Sequence, residues 1–189
     1  MSLSRHDIFI LSEGQAAVHA IKNGYTYLQS LSFQQFISCD KKNFGCDGGA
    51  LSHAVKYATD NGLMRLDDYP YTDGDGSTSK TCQVVENESE LAVVAREGVW
   101  LDYNDRYDFE ERLEIMKRIL AEYGPVAMVV KSNCRLFSNY KKGILQDDQD
   151  CACDNPNCID HAVLAVGYDD TANPPYIKIK NSWGTGWGE

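Results

Sequence analysis

Apolar residues in the first third of the chain recur at helical spacing. Phe9, Ile10, Ala16, Ala17, Ala20 and Ile21 follow such a pattern from His6 to Asn23, and Gly24 comes next as a C-terminal cap. Ser32-Phe33-Gln34-Gln35 has the form of a capping box and predicts a short helix through Ile37. Leu51, Ala54, Val55 and Ala58 share one face of a third helix, stopped at Gly62. Tyr69-Pro70-Tyr71 and Asp73-Gly74-Asp75-Gly76 read as turns.

The pattern then changes. Phe109, Leu113, Met116, Leu120 and Tyr123 mark an amphipathic helix ended by Gly124-Pro125. Residues 126–130, 162–166 and 176–179 read as strands, with 169–175 as a hairpin loop between the last two. The expectation is an α+β chain, with a helical subdomain over 1–97 and a β-rich subdomain over 98–189, divided near Glu97-Gly98. No repeat or low-complexity linker marks the division.

Of the 189 residues, 43% are hydrophobic, enough to pack one or two small domains. A net charge of −10 and a pI near 4.8 argue against nucleic acid as a partner, because binding phosphates needs clustered Lys and Arg. No run of eighteen apolar residues is present, so no membrane span is expected. The opening MSLSRHDIFIL has only a short apolar stretch and no small-residue cleavage site, so it does not read as a signal peptide. Seven cysteines (Cys39, Cys46, Cys82, Cys134, Cys151, Cys153 and Cys158) favour an oxidising compartment. Their odd number leaves at least one outside any internal pairing. Asn87-Glu88-Ser89 is a glycosylation sequon, consistent with the secretory route.

The chemistry concentrates near the C-terminus. His161-Ala162-Val163-Leu164-Ala165-Val166-Gly167-Tyr168 resembles the histidine strand of papain-like cysteine proteases. The segment from Lys180-Asn181-Ser182-Trp183 to Glu189 resembles their asparagine segment. Gly45-Cys46-Asp47-Gly48-Gly49 and Asp68-Tyr69-Pro70-Tyr71 resemble two further family motifs in the same order. The resemblance implies a papain-like α+β fold, with a helical left subdomain, an antiparallel β-barrel-like right subdomain and a cleft between them. It implies peptide-bond hydrolysis in a lysosomal or secreted setting, without a cofactor.

In such a site an imidazole holds a cysteine thiolate as an ion pair, and an amide fixes the ring. The resemblance assigns these roles to His161 and Asn181, with Trp183 covering their hydrogen bond. It also implies that Gly48 and Gly49 pair with an extended peptide or protein. Ala50, Leu51, Val129, Ile159 and Ala162 match walls of an apolar specificity pocket, and Asp160 is placed to tune the histidine. The nucleophile is the exception. The family's Cys-Gly-Ser-Cys-Trp segment has no counterpart, since no cysteine precedes Cys39. Aligning back from Gly24 puts His6 at the nucleophile position. The family's oxyanion-hole glutamine aligns ahead of Met1, and the cysteine expected to pair with Cys46 aligns with Leu3. Both ends of the chain read as cut. Ser4 and Ser12 flank the site, but neither aligns without a gap. The family pairs Cys39 with Cys82.

Cys151, Cys153, Cys158 and His161, near Asp147, Asp148, Asp150 and Asp154, admit three readings. These are a zinc site, free thiols, or disulfides bracing a long loop, with Cys134 as a further partner. The spacing matches no usual zinc pattern closely, and no metal is assigned. For the whole chain three functions stand. It is a papain-like peptidase seen without its nucleophile segment, a pseudoprotease that binds peptides or proteins without cutting, or a structural or metal-binding module on the same scaffold.

Overall fold

The computed structural model describes residues 5–24, 26–72, 81–84, 108–146, 149–153 and 156–189. The chain falls into two compact units, residues 2–100 and 101–189. Glu97 and Gly98, where the sequence places its boundary, lie outside the described residues, as does Asn87.

The first unit is helical. Helix α1 spans Arg5–Asn23, α2 Phe33–Cys39 and α3 Leu51–Asn61. Gly24 takes φ +64° after α1 and Gly62 φ +68° after α3, a region an L side chain seldom enters. Ser32 caps α2 by accepting from the Gln35 backbone N–H at 3.1 Å. The reciprocal half of the expected capping box does not form. The buried Gln35 amide instead donates to Tyr57 Oη and Gly62 O, and accepts from Met64 N. Its tertiary bonds also tie α2 to the end of α3, and α2 runs two residues beyond the predicted Ile37. Ile10, Ala16, Phe36, Ile37, Ala54, Ala58 and Leu63 are buried. Cys39 at the end of α2 is bonded to Cys82, with S–S 2.09 Å.

In the second unit, α4 (Phe109–Tyr123) begins with a complete capping box between Asp108 and Glu111. Strand β1 (Val126–Val130), the one-turn helix α5 (Arg135–Ser138), and strands β2 (His161–Asp169) and β3 (Tyr176–Lys180) follow. Among the described residues the sheet has three antiparallel strands in the order β1-β2-β3. β2 extends the predicted strand at both ends. Its first half, His161 to Ala165, is entirely buried, as expected of a central strand. Of the five residues that marked the apolar face of α4, only Leu120 is buried; Phe109 and Tyr123, at its two ends, are exposed. Among the described residues no helix is long and apolar enough to cross a membrane.

Candidate active site

β2 starts at His161, which pairs in register with Val130 at the end of β1. The imidazole is 4% exposed. Its Nε2 lies 2.8 Å from Oδ1 of Asn181, the residue following β3. The same Oδ1 accepts the Ser182 backbone N–H at 2.7 Å. That N–H can only donate, which fixes the amide oxygen toward both groups. Nε2 must then carry the proton it shares with Asn181, so the bond selects the tautomer as well as the ring orientation.

Aromatic rings pack against the histidine. Trp183 stacks on His161 with centroids 4.9 Å apart. Phe137 of α5 meets Trp183 edge-on at 5.5 Å and lies 5.1 Å from Trp187. The Trp187 indole N–H donates to the Phe137 carbonyl at 2.7 Å, and Trp187 meets Trp183 edge-on at 5.9 Å. Edge-to-face packing of this kind suits the ring quadrupoles and excludes water. Phe137 was invisible to helical periodicity, because α5 is a single turn.

Asp160 immediately precedes His161 in the chain. Its carboxylate accepts the Ser132 N–H at 2.6 Å and the Asn133 N–H at 3.1 Å. It fixes the loop after β1 beside the histidine.

The cysteine-rich loop is closed by disulfides Cys134–Cys151 and Cys153–Cys158. Lys131 Nζ donates to the carbonyls of Asp150 and Ala152, and Asp150 accepts from Arg135 N at the start of α5. All four sulfurs are committed and His161 is bonded to Asn181, which removes the donor set of the zinc reading. Asp147, Asp148 and Asp154 lie outside the described residues.

Val129 pairs in register with Ala162, on the sheet face opposite Met128 and Val163. Val129 and Ile159 are half-buried, whereas Ala162 is wholly buried. In the helical unit, Gly48 takes φ +108° and is buried. A Cβ on Gly49 would lie 2.1 Å from Oδ1 of Asn43. The glycine requirement at 49 therefore comes first from Asn43, a residue the sequence reading passed over. Ala50 caps α3, and Leu51 begins it half-buried. His6 lies in the first turn of α1. Ser12 is buried and its hydroxyl donates to the Phe9 carbonyl at 2.8 Å, which disfavours it as a nucleophile. Ser4 and Leu3 lie outside the described residues.

A profile of the papain family cysteine proteases matches residues 12–189, and the chain belongs to that family. It is 39% identical over 165 residues to cysteine proteinase B of Leishmania mexicana, covering 86% of this chain and 33% of that protein. Its fold resembles digestive procathepsin L 3 of Tenebrio molitor larval midgut, with a TM-score of 0.73 at 28% identity, over 98% of this chain and 56% of that one. It also resembles a cysteine protease of Carica candamarcensis determined in complex with E-64, with a TM-score of 0.66 at 30% identity, over 100% and 79% of the two chains. The fold is papain-like α+β. The chain spans between about a third and a half of the length of the curated relatives it matches.

Proposed function

We propose that this chain carries the base half of a papain-type peptide-hydrolysing site, and that its 189 residues alone do not cut peptide bonds. The observation that carries this reading is the His161–Asn181 hydrogen bond beneath Trp183. With Nε2–H committed to Asn181, Nδ1 is the nitrogen that would exchange a proton with a nucleophile. His161 would act as base and Asn181 as its orienter.

The cysteine that would complete the site is replaced at its aligned position by His6, whose acyl product would be labile. In a comparable acyl-transfer site, loss of the nucleophile costs about 10⁶-fold in kcat. An extended peptide or protein with an apolar side chain two residues before the scissile bond is the expected ligand, and no cofactor is required. Three disulfides support a lysosomal or secreted setting.

A second reading, a pseudoprotease that binds peptides without cutting them, is favoured by the fixed geometry of the Gly48–Gly49 segment. A Cys-Gly-Ser-Cys-Trp segment encoded ahead of Met1 would decide for a peptidase. The direct test is a fluorogenic peptide with leucine two positions before the cut, assayed at acidic and neutral pH. No turnover sensitive to a thiol-directed inhibitor is expected. Turnover at a papain-like rate, abolished by His161→Ala, would overturn the reading.

A further inference from the structure

The glycine segment is held by a splint that runs from the end of α2 to the start of α3. Asp40, the C-cap of α2, donates its backbone N–H to Phe36 O and is 5% exposed. Its Oδ1 accepts the Lys42 N–H at 3.0 Å, and its Oδ2 accepts from Asn43 Nδ2 at 2.7 Å. The Asn43 side chain, in a residue 8% exposed, also closes on Ala50 from both sides. Its Oδ1 accepts the Ala50 N–H at 2.8 Å, and its Nδ2 donates to Ala50 O at 3.3 Å.

Gly48 and Gly49 lie inside this span. Gly48 is tied within the loop, donating to Gly45 O and accepting from Phe44 N. Neither the N–H nor the C=O of Gly49 itself is bonded among the described residues. Asn43 thus fixes the backbone on the Ala50 side of Gly49 and lies flush against it, while the Phe44–Gly48 bond holds the other side, leaving the Gly49 N–H and C=O for another chain.

We propose that Asn43, braced by Asp40, is the positioning residue that holds Gly49 in the conformation an extended peptide pairs with. This rests on the peptide-binding reading above. Asn43 acts through Gly49 and makes no ligand contact of its own. The buried carboxylate of Asp40 makes the identity of residue 43 specific, because only a side chain with both a donor and an acceptor satisfies Asp40 and Ala50 together.

The test exchanges the two roles. N43D keeps an acceptor for Ala50 N but sets a second carboxylate against Asp40. The double variant D40N/N43D restores one donor and one acceptor between the same positions. Binding of a fluorescein-labelled hexapeptide with a central leucine is followed by anisotropy, with the Gly49 amide resonance as local reporter and circular dichroism to confirm the fold. The expected result is peptide binding that shifts Gly49 in the parent protein, weakening of about tenfold in N43D, the equivalent of one well-made hydrogen bond, and partial recovery in the double variant, which restores the bond between positions 40 and 43 and the acceptor for the Ala50 N–H but not the donor to Ala50 O. If N43D does not fold, Asn43→Ser, too short to reach either partner, replaces it. An unbound parent protein would sink the peptide-binding reading and this inference with it. A parent that binds, with N43D or Asn43→Ser binding equally well, would overturn the inference alone. So would a double variant as weak as N43D.

Discussion

The imidazole of His161 lies against the indole of Trp183, with ring planes 29° apart and centroids 4.9 Å apart. Trp183 is itself 36% exposed, and we propose that its indole covers the hydrogen bond between His161 and Asn181. Keeping water from a hydrogen bond strengthens it, because the local dielectric falls. Trp183→Ala should therefore open this bond to solvent, while Trp183→Phe should largely preserve it. The measurement is the His161 Nε2–H proton resonance, expected to be sharp in the parent protein and in the Phe variant. An equally sharp resonance in the Ala variant would show that the cover is dispensable.

The Cys39–Cys82 disulfide joins the end of α2 to a segment 43 residues later. Closing a loop of this length restricts the unfolded chain, and its removal typically costs roughly 2–4 kcal/mol. Cys82→Ser should lower the urea midpoint accordingly, with Cys39 left in the cluster it forms with Met64 and Tyr69. An unchanged midpoint would mean that packing around Tyr69 already fixes the segment.

Gly49 offers a sharp steric test. Its Cβ would lie 2.1 Å from Asn43 Oδ1 and 2.7 Å from Asn43 Cβ, so the whole side chain must leave rather than bend. Gly49→Ala should expel Asn43, leave Oδ2 of Asp40 without the donor it has now and cost about 1–3 kcal/mol, the range for an unsatisfied buried polar group. Faster hydrogen exchange at the Ala50 amide, which Asn43 now protects, is the expected signature. Slow exchange there with full stability would contradict it.

Lys117 gives a pH dependence of defined sign. Its ammonium donates to Asp170 at 2.7 Å and Glu114 at 2.9 Å, and lies 5.8 Å from the centroid of the Tyr168 ring. The hydrogen bond to Asp170 and then that to Glu114 raise its pKa above the ordinary lysine value. A raised folded-state pKa stabilises the fold fully below the unfolded value, about 10.4, and the benefit fades as pH rises through the folded value. The melting-temperature difference between the parent protein and Lys117→Met should hold steady from about pH 7 to about pH 10 and narrow only at higher pH. A difference that shrinks well below pH 10 would rule out this contact as its source.

Much of this architecture was legible in the sequence. Gly24, Gly62 and Gly124-Pro125 end helices where periodicity and turn chemistry place them, and β1 has its predicted bounds. The motifs around His161 and Asn181 pointed to the residues the structure brings within hydrogen-bond reach. What was not legible depends on long-range partners. Gln35 fits a capping box by spacing, yet Tyr57, Gly62 and Met64 compete for its amide and win. Phe109 and Tyr123 match the α4 stripe, but at the helix ends nothing buries them. Four cysteines in and beside one loop permit several pairings, and spacing alone could not choose Cys134–Cys151 with Cys153–Cys158. Asn43 carried no local signal, because its partners come from both sides of a glycine turn.

The two halves of the His161–Asn181 bond are carried by strands with different numbers of partners, His161 at the start of β2 and Asn181 just after β3. β2 is flanked by β1 and β3, whereas β3 has one partner among the described residues. Sheets open from their margins inward, because a central strand must lose two ladders before it is released. Among the described residues His161 is thus mounted on the strand held by two ladders, and Asn181 just beyond one held by a single ladder. The central strand is the fixed anchor of the oriented imidazole, and the β2–β3 ladder is what keeps its orienting amide in reach.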